Sequence, residues 1–202
     1  MQRQAVDLDA FGDTRINEIL DGFLDCGRHA VVLDLTNDLR IPVFAAIAAK
    51  ADGTSPCFGA AASLSPREAA LRALSEAAQV AYWSETAGGS PELRWWLENA
   101  TTAGQQYLTP RGVVSPGAAP RLEVPAALEF CLSRLREANL DAYWVDMTRG
   151  EIGVPVVRVI VPELRHVWRR LAAGRLYSVP VQMDWLREPL RECEMNPISC
   201  ML

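Results

Sequence analysis

With 202 residues, half of them hydrophobic and 22% charged, the chain has enough apolar material for one domain or two small packed lobes, and gross disorder is excluded. A net charge of −5 leaves no basic footprint for nucleic acid, and an anionic ligand would need local donors or a cation. No apolar run approaches a membrane span, and the opening MQRQAVDLDAFGD lacks the basic-then-apolar layout of a secretion signal, so a cytoplasmic protein away from membranes is expected.

The first element is a helix from Asp13 to Cys26. Ile16, Ile19, Leu20, Phe23 and Leu24 share its apolar face, Asp13 caps it and Gly27 ends it. Residues 30–48, AVVLDLTNDLRIPVFAAIA, place two β-rich runs around the turn Thr36-Asn37-Asp38 and predict a hairpin. Residues 57–79, CFGAAASLSPREAALRALSEAAQ, open as a small-residue loop and become an alanine-rich helix. Ser65 stands at N-cap, Pro66 at N1 and Glu68 at N3, the spacing of a capping box. Helical geometry puts Ala70, Leu74, Ala77, Ala78 and Ala81 on one side, and Glu68, Arg72, Glu76 and Gln79 on the other. Glu68 and Arg72, and Arg72 and Glu76, are spaced for ion pairs of about 0.3–0.5 kcal/mol each, which by themselves describe a solvated stripe.

Residues 87–121 read as a connection: a short amphipathic piece around Leu93–Leu97, then a Gly- and Pro-rich stretch, with Trp95 and Trp96 anchoring it on the core or rimming a pocket. A helix from Pro125 to Asn139 follows, with Leu128, Leu132 and Leu135 in its apolar stripe, and then a hairpin over residues 142–161. Here the chain repeats itself. Asp34-Leu-Thr36 before Ile41-Pro42-Val43 matches Asp146-Met-Thr148 before Val154-Pro155-Val156, and each copy follows a helix. Asp34 and Asp146 suit Asx-type turn capping better than catalysis. Pro42 and Pro155 sit where no ladder N–H is lost. These elements predict an α+β protein with a mixed or antiparallel sheet, packed helices and two pseudo-repeated helix–hairpin halves. The lobes are about 1–86 and 121–202, joined by residues 87–120.

Metal and nucleophile motifs are missing. The five cysteines (Cys26, Cys57, Cys131, Cys193 and Cys200) are widely spaced without a Cys-x-x-Cys, and there are only two histidines, His29 and His166, so neither disulfides nor a metal site is expected. There is no Gly-x-Gly-x-x-Gly or Walker-type loop, and Ser63 is not in a nucleophile elbow. His166 in PELRHVWRRL belongs to an expected surface helix, where Arg165, Arg169 and Arg170 form a solvated face or meet an acidic partner or a phosphate.

The stretch FGAAASLSPREAALRALSEAAQ resembles YcaO-like proteins, in which a Gly-Ala segment leads through a Pro-capped start into a helix A-L-x-R-A-L-x-E-A-A-Q. DLTNDLRIPVFAAIA is similar to the strand pair before that helix. WVDMTRGEIGVPVVRVIVPELRHVWRRLAAGRLYSVP resembles the family's D-x-T-R-x-x-I-G-x-P-V-x-R-V-x-V-P-x-L segment, and Leu190 to Leu202, with Asn196-Pro197, resembles its closing segment. The resemblance implies use of ATP and Mg2+ to phosphorylate a backbone amide oxygen of a peptide. Attack by a Cys, Ser or Thr side chain then gives an azoline ring, and attack by external sulfide gives a thioamide. It also implies that Glu76 and Gln79 face the nucleotide, with Arg72 on the same stripe.

Three departures from the family pattern shape the expectation. The family is usually about twice this long, and most of its ATP- and magnesium-binding glutamates lie in an N-terminal half whose Asn/Glu-rich helix motif ending in Glu-Arg is not found here. The arginine two residues after the family's glutamine is Ala81 in this chain. The closing NPISCML replaces the Pro-x-Pro-x-Pro tail of ring-forming members. The resemblance therefore implies a partial or partner-dependent unit, completed by an N-terminal-half YcaO chain or a TfuA-like or leader-peptide-binding partner and acting on a peptide substrate. The alternatives are a non-catalytic YcaO-related binding or scaffold protein that self-associates as a homodimer or other homo-oligomer, and an unrelated small-molecule binder.

Overall fold

The computed structural model describes residues 4–86, 91–117, 122–164 and 172–195. The expected surface helix around His166 and the closing Asn196-Pro197 segment lie outside these residues. The chain divides into two units. One takes Met1–Asn37 and Ile41–Arg121, and the other takes Asp38–Arg40 and Leu122–Cys200.

The first unit is built on a five-stranded sheet in the order β4-β3-β2-β1-β5, from β1 (Gln4–Val6), β2 (Arg28–Asp34), β3 (Val43–Lys50), β4 (Cys57–Ala62) and β5 (Gly112–Val114). β1 to β4 pair antiparallel, with Arg28 opposite Lys50 and Ala46 opposite Gly59 in their registers, while β5 joins β1 in parallel. The mixed α+β class expected from the sequence is the class observed. Helix α1 (Thr14–Asp25) starts where the Asp13 side chain accepts the Arg15 amide at 3.0 Å, and it ends before Gly27, whose φ of 69° suits glycine. Ile16 and Phe23 of α1 are buried as expected, but Leu24 is exposed, because it stands on the rim of the stripe.

Residues 57–62 are a strand, not the loop that their small residues suggested. Alanine and glycine are weak strand formers, and here tertiary packing overrides that preference. Helix α2 (Pro66–Thr86) lies close across β4 and β3. A Cβ added to Gly59 would collide with Ala77 N and stand 2.5 Å from Ala73 O, so the helix backbone rests directly on the strand. The buried alanines 46, 48, 69, 70, 73 and 77 serve the same close approach, and Ile16, Val32, Phe44 and Leu74 fill the remaining core. On the other face of the sheet, Phe58 meets Trp96 edge-on with ring centroids 6.3 Å apart. Trp96, in α3 (Pro91–Asn99), is buried and donates its indole N–H to Pro56 O at 2.7 Å. The stretch read as a loop-rich connection thus contributes α3, β5 and a core tryptophan to the first unit, whereas Trp95 is exposed.

In the second unit, α4 (Val124–Glu137), the antiparallel strands β6 (Tyr143–Asp146) and β7 (Val157–Ile160), and α5 (Arg175–Gln182) are joined by the turn Asp38–Arg40, where Arg175 donates to both Asp38 carboxylate oxygens at 2.7 and 2.8 Å. The repeat seen in the sequence recurs hydrogen bond for hydrogen bond. Asp34 accepts the Thr36 amide at 2.8 Å, Thr36 Oγ1 accepts Val43 N at 3.3 Å, and Leu35 N donates to Val43 O at 2.8 Å. Asp146 accepts the Thr148 amide at 2.8 Å, Thr148 Oγ1 accepts Val156 N at 3.1 Å, and Met147 N donates to Val156 O at 2.8 Å. Both aspartates are turn caps, and their prolines stand just outside β3 and β7. The copies differ in burial: β2 and β3 are core strands, whereas every residue of β6 and β7 is exposed and α4 buries none.

Candidate functional site

The outer face of α2 begins at its cap. Ser65 Oγ accepts the Glu68 amide at 3.4 Å, but the Ser65 amide donates to Ser63 Oγ at 3.2 Å, so only half of the expected capping box forms. The Glu68 carboxylate turns instead to Arg67 at 3.3 Å and Arg15 at 3.6 Å. Asp13 completes this cluster, 2.7 Å from Arg15 and 3.4 Å from Arg67. Hydrogen bonding from the Arg15 guanidinium holds the Asp13 carboxyl at about 2, well below the usual carboxylate range. The cluster ties the starts of α1 and α2 together and sets the direction in which α2 leaves the cap.

Further along, the expected ion pairs of Arg72 with Glu68 and Glu76 do not form. Glu68 is held by the arginines, and Glu76 Oε2 accepts the backbone amide of Ala60 at 2.6 Å. β4 is an edge strand, and this amide faces away from β3, so the carboxylate satisfies a donor that the sheet leaves open. Glu76 is consequently half-buried and fixed, while Arg72 and Gln79 are exposed on the same stripe. Trp83, one turn beyond Gln79, extends the stripe and is 61% exposed. The four-residue step from Gln79 could have identified it. Ala81 is buried on the opposite side of the helix, five residues from Glu76 or about 140° around the axis. An arginine at that position in this chain would point into the core instead of joining the stripe.

Arg28 escaped the sequence reading because a charged residue at a strand start ordinarily lies at the surface. It is 2% exposed, donates to Ser55 O at 2.8 Å and lies 3.5 Å from Glu85 of α2, and its Nε finds no partner among the described residues. Burial pushes the neighbouring Cys57 thiol up, against the pull of the Arg28 charge. On the same unit a cleft of about 380 Å3 is lined by His29, Val31, Ile47, Lys50, Thr102 and Thr109, among others. Among the described residues, no three His, Cys, Asp or Glu side chains gather as a metal cage, and no helix is long and apolar enough to cross a membrane. The α2 stripe therefore offers one fixed carboxylate, one amide and one guanidinium. Arg72 and Gln79 can donate to phosphate oxygens, and Glu76 can contribute a single oxygen of the six that magnesium takes.

A family profile described as YcaO cyclodehydratase, ATP- and Mg2+-binding, matches residues 1–165. A solved heterocyclase in complex with substrate and cofactor is 32% identical with a TM-score of 0.87, over 98% of this chain and 28% of that one. The heterocyclase TruD is 33% identical with a TM-score of 0.85, over 100% and 29%. The YcaO protein of Methanopyrus kandleri, solved with AMPPCP and Mg2+, shares the fold at 23% identity with a TM-score of 0.60, over 81% and 45%. An uncharacterized protein of Methanothermobacter thermautotrophicus is 32% identical over a match of 168 residues that covers 73% of this chain and 43% of that protein. The chain thus spans less than half of the curated relative and under a third of the two heterocyclases. With a family profile matched over most of its length and the heterocyclase fold reproduced at about a third identity, the chain belongs to the YcaO family.

Proposed function

We propose that this chain forms part of a site for ATP- and Mg2+-dependent modification of a peptide backbone, giving an azoline or a thioamide, in the setting of ribosomal peptide or protein modification. Its 202 residues act as one partial YcaO-like domain of two lobes. When bound, ATP supplies the phosphoryl group that turns a poor amide oxygen leaving group into a good one. The residues of α2 hold that nucleotide: Arg72 and Gln79 donate to phosphate oxygens, and Glu76 provides one magnesium ligand. The observation that carries this reading is the bond from the Ala60 amide to Glu76 Oε2 at 2.6 Å, which fixes the carboxylate before any ligand arrives. Phosphate oxygens and waters fill most of a magnesium octahedron, beside one or two carboxylates. Any further carboxylate comes from a partner, an N-terminal-half YcaO chain or a TfuA-like or leader-peptide-binding protein, which also presents the peptide.

Calorimetric titration of Mg-ATP tests this. We expect binding that is weakened at least tenfold in Glu76→Gln, which removes the charge but keeps an oxygen for the Ala60 amide. No heat from the chain at millimolar ATP, either alone or mixed with an N-terminal-half YcaO chain, would refute it.

A second reading is supported by the uncovered second hairpin. In that reading the chain is a non-catalytic YcaO-related binding or scaffold protein that works as a homodimer.

A further inference from the structure

Four residues of α2 stand in one line: Arg72, Glu76, Gln79 and Trp83 fall within about 60° of one another around the helix axis. The first three carry the polar groups described above, and the fourth carries an indole. Trp83 is 61% exposed, and among the described residues its ring stacks on no other aromatic and its N–H meets no acceptor. Trp96, by contrast, is buried with both a ring contact and an acceptor. Trp83 lies one turn beyond Gln79 and ~10 Å of helical rise beyond Glu76. A long side chain on a helix lies back over the preceding turn, which carries this indole toward Gln79. The polar end of the line is fixed, because the Ala60 amide holds the Glu76 carboxylate.

We propose that Trp83 is the platform on which the base of the nucleotide stacks, so that ATP lies along α2 with its outer phosphates at Arg72 and Glu76 and its adenine on the indole. The inference rests on the nucleotide reading of the same helix, and it names the residue that would make the stripe a nucleotide site instead of a general phosphate site. Three observations select a base as the occupant. The first is order: donors and carboxylate precede the indole along one line, and a nucleotide carries its triphosphate and its base at opposite ends. The second is spacing, since ~10 Å between Glu76 and Trp83 leaves room for a ribose and the inner phosphate between a stacked base and magnesium-bound outer phosphates. The third is chemistry. An open aromatic face stacks on the face of a base, and each such contact is worth about 5- to 150-fold in affinity. The adjacent Tyr82 is as open, at 66% exposed, but it stands about 100° around the helix and off the line.

Calorimetric titration in the presence of magnesium compares ATP with inorganic tripolyphosphate, which has the phosphates without ribose or base. On the unaltered chain, alone or mixed with an N-terminal-half YcaO chain, ATP should bind about 5- to 150-fold more tightly. Trp83→Ala should remove that advantage and leave tripolyphosphate binding where it was. Trp83→Phe should keep most of it, because a phenyl ring also stacks. Tyr82→Ala should change neither ligand, and Glu76→Gln should weaken both alike. ATP, but not tripolyphosphate, should quench tryptophan fluorescence in the unaltered chain, and Trp83→Phe should abolish that quenching while it still binds ATP. Trp83 and Tyr82 are exposed, so their variants should melt with the unaltered chain. Equal affinity for ATP and tripolyphosphate, or a Trp83→Ala loss that is absent or the same for both ligands, overturns the base platform alone and leaves the phosphate contacts standing. Failure of both ligands to bind overturns the platform together with the nucleotide reading.

Discussion

Replacing Gly59 with alanine tests the contact on which the α2 stripe depends. The new methyl would meet Ala77 N, stand 2.5 Å from Ala73 O and 2.6 Å from Glu76 Cβ. Two of these three atoms are helix backbone, so no rotamer change can make room and α2 must lift off β4. Overpacking of this kind costs about 1–3 kcal/mol. Lifting the helix also breaks the bond from Ala60 N to Glu76, and an exposed hydrogen bond contributes about 0.5–1.5 kcal/mol. The sum is about 1.5–4.5 kcal/mol, a substantial share of the ~5–15 kcal/mol that holds a domain folded. Urea unfolding followed by far-ultraviolet circular dichroism measures it. Because the collision is with backbone, Ala73→Gly in the same chain should give no rescue. A loss under about 1 kcal/mol, or recovery in the double variant, would refute the close helix–strand contact.

Three further outcomes are expected. Asp13 has its folded pKa lowered to about 2 from 3.8, so its contribution to stability is complete above the unfolded value and is lost as pH falls toward 2. The Tm of the unaltered chain should fall faster than that of Asp13→Asn between about pH 4 and pH 2, and parallel curves would contradict the Arg15 pairing. Cys57 is buried with its thiol pushed up, whereas Cys26 and Cys193 are exposed, so Ellman's reagent at mildly alkaline pH should label the latter two quickly and reach Cys57 only on unfolding. Rapid labelling of Cys57 in the folded chain would show that β4 is not covered. Trp96→Phe should cost about 1–3 kcal/mol by leaving the buried Pro56 carbonyl without its donor, whereas Trp95→Phe should change stability by less than about 0.5 kcal/mol in the same urea titration.

The sequence alone determined whatever is decided within a few residues of chain. The starts of α1 and α2 and the paired Asp–Thr turns were legible because a cap or an Asx turn links groups two or three positions apart. The apolar side of α2 was legible for the same reason, since helical periodicity is local. Only the tertiary structure decided what depends on surfaces meeting. Residues 57–62 become a strand because β3 and α2 require small residues there, against the preference of alanine itself. Glu76 leaves its expected partner Arg72 for an amide 16 residues away, because the edge strand leaves that donor open beside the helix, whereas an exposed ion pair contributes little. Arg28 sinks beneath the end of α2, and the second hairpin stays bare although its turn matches the first. Turn chemistry is written in spacing, but burial depends on which other surface is there to bury against.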